Sequence, residues 1–239
     1  MDRPVDLDEP RVPFALTVLL GLQFGLGTAY DNDHPEPGQI VGPTPIGEFG
    51  IQAALFLQVV VAAFALLPVT SEYATGSIRS TLQWTPVRRN VVLAKAVVLA
   101  PVLFVYGLVL AAVAAVSGGV MAGRWADWDA GLLVTDLLSV AFYLTLAGLF
   151  SLGIAWIIRS TAGTLTAAFL LLMVLPLMLG QSGLRPLVWT AALLPGGAGQ
   201  NFLSGTTDPI SPTLSVLVLL AWVAAALYAG TRTLTHRDA

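Results

Sequence analysis

Six stretches of the chain contain no Asp, Glu, Lys or Arg and consist mostly of Leu, Val, Ala and Phe: 12–30, 49–71, 96–123, 137–158, 160–184 and 209–231. A helix needs roughly 20 apolar residues to cross a bilayer core about 30 Å thick. Each run therefore predicts one crossing, with the helices placed at about 12–30, 49–70, 94–118, 133–158, 162–181 and 212–231. A seventh uncharged run, 186–207, is different. Its apolar part covers only Leu187 to Leu194 and is followed by Pro195-Gly196-Gly197-Ala198-Gly199. Eight residues cannot span, so this run predicts a short re-entrant or interfacial helix before the last crossing. Pro101 and Pro176 fall inside crossings three and five, where proline is tolerated and marks candidate kinks. The expected fold is an all-α polytopic membrane protein, a single transmembrane domain of six helices over residues 1–239.

Composition agrees with lipid as the solvent. The chain is 56% hydrophobic and 10% charged, against about 25% charged in an average soluble domain. The absence of cysteine excludes a disulfide scaffold, a thiol nucleophile and cysteine-type zinc sites. Lys95 is the single lysine, and the Arg-, Ala-, Val-, Leu- and Gly-rich usage reads as a GC-rich bacterial coding sequence. With six crossings both ends of the chain share one side. That side carries Arg3, Arg11, Arg79, Arg88, Arg89, Lys95, Arg159, Arg232 and Arg237, and the other only Arg124 and Arg185. The positive-inside rule then expects both termini in the cytoplasm and a multi-pass protein of the bacterial plasma membrane. Loop 30–48 fits the outer side, with Asp31, Asp33, Glu36 and Glu48 and no basic residue. Met1 to Arg11 is acidic on balance and the following run is long, which argues against a cleaved signal peptide. No solenoid-type repeat is visible, although Ile-Arg-Ser-Thr occurs at both 78–81 and 158–161.

The least lipid-like part of the membrane region is 71–95, SEYATGSIRSTLQWTPVRRNVVLAK. Ser71 can cap a helix start, with Glu72 in a first turn where the helix dipole favours an anion. Gly76 permits a turn, and Ser77 can cap a second short helix on which Ile78 and Leu82 share a face. Thr85-Pro86 reads as a cap and first-turn proline opening the third crossing. Two short helices along the membrane surface are thus expected. Arg88 and Arg89 fall in the first turn of the third helix, where a cation opposes the dipole. They are candidates for a lipid-phosphate anchor or for a docking surface facing a cytoplasmic partner.

The run Ser71-Glu72-Tyr73-x-Thr75-Gly76-Ser77-Ile78-Arg79-x-Thr81-Leu82, then Pro86-x-Arg88 and Lys95, resembles the first cytoplasmic loop of type-2 ABC exporter permeases. The six-crossing layout, the short link at Arg159-Ser160-Thr161 and the apolar segment Leu184 to Pro195 resemble that family too. Family members usually begin with an amphipathic elbow helix, whereas Met1 to Pro13 holds three prolines and shows little such pattern. The resemblance implies that the loop is a coupling helix resting on a separate ABC ATPase subunit, with a second permease copy, identical or related, facing this one across the substrate. The ATPase-coupling contacts it implies are Glu72, Tyr73, Gly76, Arg79, Leu82, Arg88 and Arg159. No Gly-x-x-x-x-Gly-Lys-Ser/Thr loop occurs, so ATP and Mg would belong to the partner ATPase and this chain would be no enzyme. The implied function is an ATP-driven exporter permease working in the lipid bilayer.

Three other readings compete. Gly180-Gln181-Ser182-Gly183 matches the serine motif of rhomboid-type intramembrane proteases, but His34 and His236 both lie outside the crossings, leaving Ser182 without a base. The tetrapeptide is more simply a turn ending the fifth crossing. An ion-independent channel or secondary carrier is the second alternative. The crossings hold almost no ionisable group, Asp136 lying near the outer end of the fourth, which argues against proton or sodium coupling. The third is a membrane anchor of an ATPase that transports nothing itself. No substrate-binding residue is identified by sequence. The nearly uncharged interior, with Phe56, Phe64, Phe142, Phe169 and Met173, suits a hydrophobic or amphipathic compound, although such residues also pack or face lipid.

Overall fold

The computed structural model describes residues 11–78, 80, 83 and 88–237. Six of its helices are long and apolar enough to cross a membrane. They are α1 (Arg11–Asp33), α2 (Ile46–Thr75), α3 (Arg88–Ala122), α4 (Ala130–Ile158), a fifth running from Thr161 to Gly180, and the last, Pro212–Arg237. The fifth is interrupted: α5 (Thr161–Phe169) leads into a π turn, Leu170–Val174, and then into α6 (Leu175–Gly180). Two short helices follow, α7 (Arg185–Leu193) and α8 (Pro195–Ser204), before α9 (Pro212–Arg237).

The helices run past the uncharged runs because charge at a helix end is compatible with a helix that outlasts the hydrocarbon. At 1.5 Å per residue the 30 residues of α2 reach about 45 Å, well beyond a core of about 30 Å. This corrects one sequence expectation. Ser71 does not begin a new surface helix; it lies in the final turns of α2, and its Oγ donates to Leu67 O at 2.6 Å. Thr70 and Thr75 do the same, to Leu66 O at 3.3 Å and Ser71 O at 2.9 Å. Hydroxyls that bond back to the carbonyl four residues earlier are satisfied inside the helix and have no capping to do. The helix ends only at Gly76, whose φ of +75° places it in the left-handed region that terminates helices. The second surface helix expected beyond it falls on Arg79, Thr81, Leu82 and 84–87, which lie outside the described residues, as does the stretch 1–10.

The chain forms two compact units, and α2, α3 and α4 each contribute to both. The first takes the residues up to Leu57 and Leu108–Val140. There α1 crosses α3 at glycines that leave room for the α3 backbone and the Ser117 side chain. A Cβ on Gly21 would lie 2.0 Å from Ser117 Oγ, and one on Gly25 2.2 Å from Gly118 O. Ile46, Phe49 and Ala122 form a small core beside this crossing. Thr44–Pro45 pairs in parallel with Ala126–Asp127, and Asn32 exchanges two hydrogen bonds with the Gly42 backbone.

The second unit takes Gln58–Gly107 and everything from Ala141 onward. Its core holds Leu66, Leu103, Leu144, Leu152, Trp156, Leu172 and Leu219, all essentially inaccessible. Between lipid-soluble helices burial supplies little drive, so close approach at small residues and interhelical hydrogen bonds set the packing. Gly153 and Gly230 bring α4 and α9 together, a Cβ on Gly153 falling 2.6 Å from that of Ala226. The segment Pro195-Gly196-Gly197-Ala198-Gly199 is not the tail of a short helix. It is the buried first half of α8. Glycine there lets the α8 backbone lie directly on Leu172 O, Ala191 O and the Tyr143 ring.

Candidate functional site

Most of the described candidate coupling residues meet in one cluster of the second unit, built where α2, α3, α4 and α9 end or begin. At its centre is Lys95. Its Nζ donates to Pro68 O at 2.6 Å, stands 2.8 Å from Glu72 Oε2, and lies 5.3 Å from the Trp156 ring centroid. α2 therefore presents a carboxylate and a carbonyl one turn apart, and α3 answers both with a single ammonium. The Lys95 and Glu72 side chains are only 19% and 25% exposed, so the pair is largely removed from solvent.

Trp156, fully buried on α4, joins this pair to the next residues. Tyr73 meets its ring edge-on at 6.2 Å and 82°. The Arg159 guanidinium stands over the Tyr73 ring at 4.9 Å, the geometry of a cation–π contact. Arg159 also donates from Nη2 to Thr233 O at 3.4 Å, and Arg88 from Nη1 to Leu234 O at 3.0 Å. Two arginines thus close carbonyls near the C-terminal end of α9, where the helix dipole favours cations. This supplies what the sequence left unexplained for Arg88. Its charge opposes the dipole of its own helix but is favourable at the end of α9.

Arg159 is held in an uncommon way. Its φ is +62°, a left-handed conformation that costs an L-residue with a Cβ about 1–2 kcal/mol. The strain sits at the junction of two helices: Arg159 N donates back to Ala155 O at 2.9 Å, and Ser160 caps α5 by accepting from Gly163 N at 3.4 Å. Of the other named candidates, Gly76 makes the turn that ends α2, with open space where a Cβ would be. Arg79 and Leu82 lie outside the described residues. Arg89 is exposed.

Sequence reasoning missed Trp156, which joins the ion pair to Tyr73, and named Lys95 within the 71–95 motif without its partner Glu72. It also missed a second polar knot deeper in the same unit. Gln58, Tyr143 and the Leu172 carbonyl bond one another with no solvent access. The one signal was Gln58 itself, an amide in the middle of an apolar run. In the first unit Asp33 accepts from Arg124 and, at 3.0 Å, from Trp125 Nε1. There the Asp136 carboxylate also packs against the Gly47 backbone, next to Glu48. Ser182, considered above as a nucleophile, donates to Leu179 O at 2.7 Å in the turn after α6. Among the apolar candidates, Phe64 pairs with Tyr106 at 5.5 Å and Phe142 with Phe202 at 5.9 Å, while Phe56 pairs with Phe24 at 6.4 Å.

No family model matches the chain, and no curated protein matches it.

Proposed function

We propose that this chain is the membrane-spanning permease subunit of an ATP-driven exporter. In this reading it uses a separate ABC ATPase and a second permease copy to move a hydrophobic or amphipathic compound out of the cell. Both termini face the cytoplasm of a bacterial plasma membrane, following the nine-to-two distribution of basic residues. The observation that carries the reading is the 71–95 segment, together with how its two roots are held. Glu72 and Tyr73 precede the turn at Gly76, Arg88 and Lys95 follow the loop, and all four are bonded into one cluster with Trp156, Arg159 and α9. A force applied to the loop by a closing ATPase would enter four helix ends at once. That is the property a coupling element needs. Lys95, Trp156 and the α4–α5 junction at Arg159 are its internal side, and Arg79 and Leu82, named from the sequence motif alone, are the proposed ATPase contacts.

Affinity purification of the tagged full-length chain from its own host membranes in mild detergent tests this directly. The expected result is a soluble ATPase in stoichiometric amount. Arg79→Ala should weaken its retention, and Glu72→Ala should leave it bound but break the stimulation of its ATPase activity by apolar compounds. Recovery of the chain alone across several detergents would sink the exporter reading and favour a self-sufficient channel or carrier. ATPase recruitment without flux in reconstituted vesicles would favour an anchor.

A further inference from the structure

Glutamine is costly in hydrocarbon unless its amide is fully bonded. Gln58, at the middle of α2, is inaccessible, and both ends of its amide are engaged. Tyr143 of α4 donates its hydroxyl to Gln58 Oε1, and Gln58 Nε2 donates to Leu172 O at 3.2 Å. The chemistry of the fifth crossing explains why Leu172 O is open to a side chain. Its α-helical donor would be the N–H of residue 176, which is proline and has none. The neighbouring N–H, that of Leu175, reaches back five residues to Leu170 O, which defines the π turn of 170–174. A proline and a π turn therefore leave a carbonyl bare inside a dry interior, and Gln58 stands in for the missing N–H.

The two groups that Gln58 bonds are also the two surfaces on which α8 rests. A Cβ on Gly196 would lie 1.7 Å from Leu172 O, and one on Gly199 1.9 Å from Tyr143 Cε2. The seat of the α7–α8 hairpin is thus made of atoms whose positions Gln58 fixes. π turns occur as single-turn insertions in α-helices, frequently at functional sites. Reverting one to α-helical bonding turns everything beyond it by about 100°, one residue's rotation. Such a reversion would move Leu172 O, which lies within the π turn, away from Gly196 and unseat α8.

We propose that Gln58 is a latch: by replacing the donor that Pro176 lacks it holds the π turn, and its release is the step that frees the α7–α8 hairpin to open. This is a property of the chain alone and needs no ATPase, so its failure and that of the exporter reading are separate outcomes.

The absence of cysteine gives a silent background for the test. Ala198, fully buried on α8, is replaced by cysteine, and its rate of modification by N-ethylmaleimide in lipid nanodiscs reports hairpin opening. Leu184→Cys, at a position 61% exposed, gives the open-site rate for comparison. Gln58→Met keeps the length and removes the bonds to Tyr143 and to Leu172 O, and it should speed modification at 198 about tenfold, the effect of leaving a buried acceptor unmet. Tyr143→Phe, which removes only the anchor of the amide, should give about threefold, the effect of one ordinary hydrogen bond. The deciding variant is Pro176→Ala with Gln58 kept. Its new N–H can take Leu172 O in the α-helical bond that reverts the π turn, so modification at 198 should again speed about tenfold. An unchanged rate in Gln58→Met or in Pro176→Ala overturns the latch and leaves Gln58 as packing. If Gln58→Met yields no folded protein, Tyr143→Phe alone decides, an unchanged rate overturning the proposal.

Discussion

Replacing Lys95 with methionine removes one charge from a place where three groups depend on it. Glu72 loses a counter-ion 2.8 Å away, Pro68 O loses a donor at 2.6 Å, and Trp156 loses the ammonium over its ring. A fully buried ion pair broken on one side costs about 3–5 kcal/mol, and an exposed one about 0–1 kcal/mol. With side chains 19% and 25% exposed the pair lies nearer the buried limit, but solvent at Glu72 softens the penalty. We expect about 2 kcal/mol for Lys95→Met, and about 1.5 kcal/mol for Glu72→Gln, which strands the ammonium but leaves it Pro68 O. The double variant should cost less than the sum, because neither charge is then left alone, with a coupling of about 1–1.5 kcal/mol. The assay is reversible unfolding in mixed detergent micelles, followed by tryptophan fluorescence across the four proteins of the cycle. Additive effects, agreeing within about 0.5 kcal/mol, would refute the reasoning. The two residues would then be neighbours without mutual dependence, and the cluster could not carry load from α2 to α3.

Two further substitutions test the packing. Arg159→Gly should be more stable than Arg159→Ala by about 1 kcal/mol in the same assay, since both lose the guanidinium but only glycine escapes the cost of φ +62°; the reverse order would show that the junction relaxes when the side chain is gone. Gly199→Ala should cost about 2–3 kcal/mol, because its methyl would fall 1.9 Å from the buried Tyr143 ring. Gly42→Ala, with nothing within 4 Å, should leave the melting temperature unchanged.

What could be read from the sequence follows the period and length of its signals. Six uncharged runs suffice for six long apolar helices, because the thickness of a bilayer imposes a length that few other structures share. The same criterion truncated α2 and α3, since it stopped at Ser71 and began after Lys95, although Glu72 and Lys95 neutralise each other within the helical region. A single chain does not announce that two charges 23 positions apart will meet. Tyr73 and Arg159 were named separately for their places in two loops, and only the fold brings the guanidinium over the ring. The glycines of 195–199 carry no helix signal in the sequence, because in water glycine weakens a helix by about 1 kcal/mol relative to alanine. Packed against Leu172, Ala191 and Tyr143, their missing side chains are what allow the helix to form where it does.

The two polar knots of the second unit share a construction. In each a proline lies inside or at the start of a helical stretch, Pro68 in α2 and Pro176 in α6, and a long polar side chain from another helix bonds a carbonyl of the disturbed turn. Gln58 takes the carbonyl that Pro176 cannot serve, so Pro176 creates, at a chosen depth, a backbone acceptor that ordinary helix geometry hides. Lys95 instead takes the carbonyl of Pro68 itself, whose helical donor, the N–H of Glu72, is present; there the side chain adds a second bond to an acceptor with two lone pairs. In lipid, where apolar faces have little preference for one partner over another, such an acceptor can be met only by a side chain of the right length at the right height. The register of α2 against α3, and of the π turn against α2, is therefore specified by a few polar atoms rather than by the apolar surface around them. This makes both contacts discrete, either made or broken, and a discrete contact is what a two-state conformational change requires.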